Sequence, residues 1–360
     1  GEPFAVRFRV PNGETVWNDR VHGTTRFRNQ EIDDLVILRS DGTPTYNLAV
    51  VSDDADMGIN LVLRGDDHLS NTPKQILLHE ALGNPVPEFA HVPLILGPDG
   101  KRLSKRHGAT AVGDYEKEGI LPEAMFNFLA LLGWSPGDDR ELFTREELVT
   151  AFSLERVLKK SAVFDFKKLE WLNGQHLAVT PTEALVGPVR RRLLERGLMA
   201  PGPSPAEGVP SVDSGPGGGP IHLPFLVDLL KVRARTVEDL VSQAEPYFRG
   251  SLDYDPKAVK KQWAKDPETT AERLERLAEA LAEVAWDQES LEMVSRELAQ
   301  AMDVGAGKLF QPLRLALTGS SASPGIFDVL MLLGRDRSLE RIKTAVNILR
   351  TGNLPSGQEA

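Results

Sequence analysis

The stretch GPDGKRLSKRHGA, residues 97–109, sets Lys101, Arg102, Lys105 and Arg106 around Ser104, with Gly97, Gly100 and Gly108 on its flanks. Clustered cations, a hydroxyl donor and glycine freedom are what binding a phosphate group requires. The spacing is not that of a P-loop, GxxxxGK[ST], and no strand feeds straight into a helix here. Taken alone, such a run is ordinarily a solvated face. A second group lies upstream in LVLRGDDHLSNT, residues 61–72. A strand-like run ending in Arg64, Gly65, Asp66, Asp67 and His68 places polar side chains at a strand's carboxyl end, where open parallel sheets bind ligands. Asp66 and Asp67 suit a ribose, a magnesium ion or a substrate amine. They equally suit the acidic first turn of a helix opening near Thr72. A lone histidine such as His68 is more often structural than a ligand; its company singles it out.

These residues need elements to hold them. NTPKQILLHEALG predicts a helix capped by Asn71 or Thr72, with Pro73 in its first turn and Gly83 at its end. AVV (49–51) and LVL (61–63), bounded by acidic or glycine residues, predict buried strands, and strand–turn–helix order predicts part of a parallel α/β sheet. Before them, Phe4, Val6, Phe8 and Val10 alternate with arginines as in a strand, PNGE (11–14) is a turn, and DDLVILRSDG is a strand ending in a turn. From residue 114 to about 180 the pattern becomes helical. Apolar positions 121, 125, 126, 128, 129 and 132 mark one helix, and EELVTAFSLERVL another. An amphipathic helix is expected over 181–198, a flexible Pro/Gly/Ser-rich loop over 200–220, helices to the end, and a disordered tail.

The bulk numbers narrow the class. The 360 residues suggest two or three domains, and 41% apolar content is ordinary for a globular chain. No run approaches the ~18 apolar residues of a membrane helix. The absence of cysteine excludes a disulfide framework and thiolate zinc, and fits a reducing cytoplasm. A net charge of −10 means that any polyanion must be met by local patches. The chain opens on a strand already in progress, without an initiator methionine, so it is expected to begin inside a domain.

TYNLAVVSDDADMGINLVLRGDDHLSNTPKQILLHEALG followed by KRLSKRHGA closely resembles the bacterial glutamyl-tRNA synthetases, class I aminoacyl-tRNA synthetases. RLSKR, Arg102 to Arg106, is similar to that family's lysine-serine-lysine signature loop, with arginine at 102 where many members have lysine. AVFDFKKLEWLNGQH (162–176) resembles the family's junction between catalytic and anticodon-binding parts. QPLRLALTG and SPGIFDVLMLLG (311–334) resemble its C-terminal helical region. The likeness covers nearly the whole chain apart from 200–220 and the tail.

The resemblance implies an α/β plus all-α fold: the second half of a class I Rossmann-like catalytic domain, then helical stem-contact and anticodon-binding domains. Residues 1–40 would end an acceptor-stem-binding domain, and 41–110 would supply the catalytic half with its signature loop. Residues 111–180 would contact the stem, 181–350 would bind the anticodon, and 351–360 would be a tail. It implies a ligase that joins glutamate to ATP and passes it to the 3′-terminal adenosine of tRNA(Glu). Lys105 would be the central cation for the phosphates, with Arg102 and Ser104 assisting. His68 and Asp67 would lie near ATP, and Tyr46 and Arg64 would contact glutamate. Arg233 and Arg314 would read the anticodon. Mg²⁺ would arrive with ATP, no zinc is expected, and a monomer is the family form. Arg190, Arg191, Arg192 and the stretch Lys231 to Arg235 are the local basic patches that tRNA could use.

The family's second signature, His-x-Gly-His, is not found: His22-Gly23 and His107-Gly108 neither begin nor end one. With the mid-strand opening, this predicts a chain lacking roughly the first quarter of family members and inactive by itself, or else a short paralogue. The alternative function is a non-catalytic tRNA-binding protein using only the helical half. A shorter relative that glutamylates a modified tRNA base would lack the helices of 181–350. A glutaminyl enzyme would end in β-barrels.

Overall fold

The computed structural model describes residues 3–104, 111–200, 212–214 and 220–355. They fall into two compact units, one comprising Gly1–Lys117 with Leu121–Leu172, the other Glu118–Ile120 with Asn173–Ala360.

The first unit is mixed α/β. Strand β1 (Val6–Phe8) is short, and the run proposed around it pairs antiparallel only with β4 (Leu35–Leu38). Strands β2 (Glu14–Asp19) and β3 (Gly23–Arg28) form a hairpin. Helix α1 (Tyr46–Asp56) follows, then β5 (Leu61–Gly65), a 3-10 segment Asp66–Asn71, helix α2 (Thr72–Leu82) and β6 (Glu88–Val92). The sheet order is β3-β2-β6-β5, with β5 and β6 parallel, Arg64 opposite His91 and Gly65 opposite Val92. Strand β2 meets β6 in parallel at Asp19 opposite Phe89.

Side-chain alternation across β6 builds two cores. Phe89 packs with Trp17 and Ile76, while Ala90 joins Trp134, Phe143 and Leu148. The α2 reading holds for its proline in the first turn and for Gly83, which closes it with φ +72, but Asn71 at the cap position is helical and makes no side-chain cap bond. Strand β7 (Ile95–Leu96) pairs with β8 (Ala162–Val163), and between them lie α3 (Val112–Lys117), α4 (Pro122–Leu131) and α5 (Arg145–Ala151).

Three further expectations fail in this unit. AVV is no strand; it is the middle of α1. Residues 47–50, 54 and 55 are half-buried and Val51 is fully buried, while Ser52, Asp53 and Asp56 are exposed, so burial returns after one turn as it does on a helix. EELVTAFSLERVL is not one helix either. Helix α5 stops at Ala151, because Phe152 turns extended with its ring against Trp134, and a 3-10 turn, Leu154–Arg156, follows. Strand β5 lies at the sheet edge, which leaves Leu63 half-exposed where a buried strand was expected.

Helix α6 (Phe166–Val179) runs across the boundary between the units. The second unit is helical: α7 (Thr182–Glu195), a two-stranded hairpin of β9 (Val212–Ser214) and β10 (Pro220–His222), α8 (Leu223–Lys231), α9 (Val237–Phe248) and α10 (Pro256–Gln262). It ends with α11 (Pro267–Glu283), α12 (Gln288–Ala301), α13 (Gly307–Thr318), α14 (Ile326–Leu333) and α15 (Arg335–Thr351). Asp255, Asp266 and Asp287 cap α10, α11 and α12 through side-chain oxygens, each satisfying an orphan N–H. Buried Leu274, Leu277 and Leu281 give α11 the apolar stripe that packs on α15. The hairpin occupies part of the expected 200–220 loop; the rest of that loop, and the tail from 356, lie outside the described residues. None of the described helices is long and apolar enough to cross a membrane.

Candidate active site

The site gathers at the carboxyl end of parallel β5 and β6. Arg64 is the last residue but one in the pairing run of β5 and is half-buried. Its Nε donates to His91 Nε2 at 3.2 Å, and its Nη2 donates to Thr72 Oγ1 at 2.7 Å and to the His68 carbonyl at 3.4 Å. The guanidinium also stands over the Phe89 ring, 5.6 Å from its centroid. Burial lowers its pKa, opposed by nearby Tyr46, Asp54 and Asp19. Tyr46, the first residue of α1, is 51% exposed, with its ring 6.2 Å from that of His68. His68 Nδ1 accepts from the Asn71 side-chain amide at 3.3 Å. Tyr46, Arg64 and His68, all proposed from sequence, thus stand together.

The two aspartates are separately engaged. Asp66 Oδ1 lies 2.7 Å from His22 Nε2, and Asp67 Oδ2 lies 2.9 Å from Arg102 Nη2. Arg102 is 68% exposed, so this ion pair contributes little stability; its use is positional. Gly65 makes room for it, since a Cβ there would sit 2.7 Å from Asp67 Oδ1.

Arg102 itself rises from a tight turn. Gly97 N–H donates to the Lys101 carbonyl at 2.7 Å, Gly100 adopts φ +73, and Leu103 N–H donates to the Ile95 carbonyl at 3.0 Å. The stem of the basic loop is therefore a hairpin pinned to β7, and it carries half-buried Ser104 at its far end. Lys105 lies outside the described residues. Among the described residues no group of three or more His, Asp or Glu side chains could hold a metal ion. Asp66 and Asp67 in particular face a histidine and an arginine, not each other's cation.

Behind Arg64 is a buried layer that sequence reasoning missed. Asp19 and His91 are fully buried, with Asp19 Oδ2 2.5 Å from His91 Nδ1. Asp19 Oδ1 accepts from the amides of Val21, His22 and His91 at 3.0, 3.0 and 3.2 Å. Burial pushes the Asp19 carboxyl up, but the His22 amide, the His91 ring and the other amides outweigh it and hold its pKa below the usual value. Burial lowers His91, with Asp19 opposing and Arg64 assisting. The sequence did hold a signal. In ETVWND every second residue faces inward, so Asp19 falls on the buried face, and His91 interrupts an apolar run. A charged residue at such a position requires partners.

In the helical unit, Arg233 and Arg314 converge. Both donate through Nη1 to the Ser323 carbonyl, at 2.9 and 3.0 Å, and Arg314 also reaches the Pro324 carbonyl at 2.6 Å. Burial lowers the pKa of Arg314, with Arg233 adding to it, and burial pushes the adjacent Tyr247 hydroxyl up to about 12. A pocket lined by Gln243, Tyr247, Thr318, Ser320 and Ser323 opens beside the pair. The basic patches are thinner than their sequence suggests. Lys231 donates to Thr180 and Thr182 and pairs with Asp228, and Arg192 pairs with Glu238 at 2.5 Å.

Residues 1–171 match the family described as tRNA synthetases class I (E and Q), catalytic domain, and residues 209–346 match the anticodon binding domain family. The chain is 45% identical over 348 residues to the glutamate–tRNA ligase of Thermodesulfovibrio yellowstonii, covering 96% of this chain and 71% of that protein. It is 43% identical over 353 residues to that of Geotalea uraniireducens, covering 98% and 71%. Among solved structures it is similar to a glutamate tRNA ligase from Elizabethkingia meningosepticum in complex with its amino acid, with a TM-score of 0.82 and 32% identity. That match covers 96% of this chain and 69% of the other.

Proposed function

Because this chain belongs to the glutamate–tRNA ligases, a class I tRNA synthetase family, we propose that its α/β unit serves glutamate activation and its helical unit reads the anticodon of tRNA(Glu). In the first step a glutamate carboxylate oxygen attacks ATP's α-phosphorus. The bond to the β-phosphate bridging oxygen breaks, giving glutamyl-adenylate and pyrophosphate. In the second, the 2′-hydroxyl of the terminal adenosine attacks the activated carbonyl, loses its proton, and AMP departs.

Negative charge grows on the phosphoryl oxygens and on the leaving pyrophosphate, so fixed cations accelerate the step. Lys105 and Arg102 are assigned that role, with Ser104 donating a hydrogen bond and His68 and Asp67 lining the nucleotide side. Mg²⁺ enters with ATP as part of the substrate. Arg64 pairs with a glutamate carboxylate beside Tyr46, since a guanidinium offers directional, charge-assisted bonds. Arg233 and Arg314 contact anticodon bases. Residues 1–40, 41–110, 111–180 and 181–350 take acceptor-stem, catalytic, stem-contact and anticodon roles, in a monomer working in the cytoplasm.

The observation that carries this reading is Arg64, a half-buried guanidinium fixed at the carboxyl end of a parallel strand beside an exposed tyrosine. The test is glutamate-dependent ATP–pyrophosphate exchange in the protein bearing this chain. Lys105→Ala is expected to lower kcat by about a hundredfold or more, the size of one lost transition-state donor. Normal exchange would remove the basic loop from the mechanism.

A further inference from the structure

We propose that Asp19 and His91 are positioning residues: they lock the His91 ring in one tautomer and thereby aim Arg64 at the substrate carboxylate. This rests on the reading of Arg64 as the carboxylate partner.

The argument is one of donors and acceptors. Arg64 Nε carries a hydrogen and cannot accept, yet it sits 3.2 Å from His91 Nε2. Nε2 must therefore be the unprotonated nitrogen. Thr72 agrees, because its hydroxyl accepts from Arg64 Nη2 at 2.7 Å and is left with its hydrogen for Nε2 at 3.0 Å. The ring proton then belongs on Nδ1, where Asp19 Oδ2 accepts it at 2.5 Å. Asp19 stays ionised because three amides reach its other oxygen.

The result is a line from carboxylate through neutral imidazole to guanidinium. The parallel register builds it, with Arg64 opposite His91 and Asp19 opposite Phe89, two residues earlier on the same strand. Nε and Nη2 are bound inward, and Nη1 takes no part in these bonds. The guanidinium plane is thus fixed before substrate arrives, so ordering it costs the substrate little. A doubly protonated His91 would turn an N–H toward Arg64 and break the line.

Two substitutions separate the halves of the relay. His91→Asn keeps an N–H for Asp19 and removes the acceptor for Arg64. His91→Gln places a carbonyl oxygen near the Nε2 position and restores that acceptor. In glutamate-dependent pyrophosphate exchange, His91→Asn is expected to raise KM for glutamate by about tenfold to a hundredfold, with KM for ATP unchanged, and His91→Gln to return most of it. If KM for both substrates instead moves together with the melting temperature in both variants, the role is only structural and the proposal fails.

Arg64→Ala run beside them separates the two ideas. An unchanged glutamate KM in that variant sinks the parent reading. A raised KM there with His91→Asn unaffected sinks the relay alone. Should the variants not fold, ¹⁵N spectra of the unmodified protein decide: an unprotonated Nε2 with a protonated Nδ1 is expected near neutral pH, and an Nε2–H would overturn the proposal.

Discussion

His79 shows what a buried histidine does when nothing answers it. It sits on α2 at 1% exposure, and its Nδ1 meets no partner among the described residues. Burial lowers its pKa, with Asp54 opposing. Below about pH 6.5 the unfolded chain takes up a proton that the fold refuses, so stability is lost as pH falls from there toward the folded pKa. His91, also lowered, carries the same sign. His79→Leu removes both the refused proton and the orphan nitrogen. It is expected to stabilise by about 1–2 kcal/mol at pH 8 and by more at pH 5.5, read by thermal melting. An equal gain at both pH values would refute the linkage. At this scale the site was legible where its residues are neighbours in sequence. Arg64, Asp67 and His68 share one strand end, and their types announce a polar site. Asp19 and His91 were not legible as a pair, because only the meeting of β2, β5 and β6 brings them together.

Elements repeat that lesson in backbone terms. Helix α2 was legible because its signals are local and agree: a proline in the first turn, and a glycine at the end in the left-handed region. The AVV run in α1 misled because β-branched residues suit both states in a short window, and the deciding stripe extends to Asp54 and Ala55. The amino-terminal run yielded only a three-residue strand, since β1 has a single partner and a shift in register after Val6. Gly319 tests how far a terminal signal binds an element to its neighbours. It closes α13 at φ +72, and a Cβ there would collide with the Asp253 carbonyl. Its own carbonyl accepts from the Asp255 amide at 2.8 Å, tying α13 to the start of α10. Gly319→Ala therefore meets both strain and a backbone clash, and is expected to cost about 2–3 kcal/mol in denaturant unfolding. A cost below half a kcal/mol would mean that the 250–256 segment yields freely.

For the whole molecule the governing number is the charge of −10, which an acidic chain must reconcile with a polyanionic partner. The α/β plus all-α division was legible because alternation gives way to helical period along the chain. The distribution of usable charge was not, because pairing is decided by packing. Lys231 is nearly buried against Thr180, Thr182 and Asp228, and Glu238 holds both Arg192 and Arg196. These cations hold the helical unit together and are poorly placed to meet phosphates. Arg191 and Arg233 are exposed. Binding of tRNA(Glu) across a salt series separates the two classes. Arg191→Ala is expected to flatten the plot of log K against log salt by about one unit for each phosphate contact it made, with an unchanged melting temperature. Lys231→Ala is expected to leave that slope unchanged and to lower the melting temperature, because it strips partners from Asp228 and two threonine groups. Replacing the anticodon should weaken binding at every salt in the series without altering the slope, since base contacts release no counterions. A slope that follows Lys231 and ignores Arg191 would invert this division and place the polyanion on the paired cations instead.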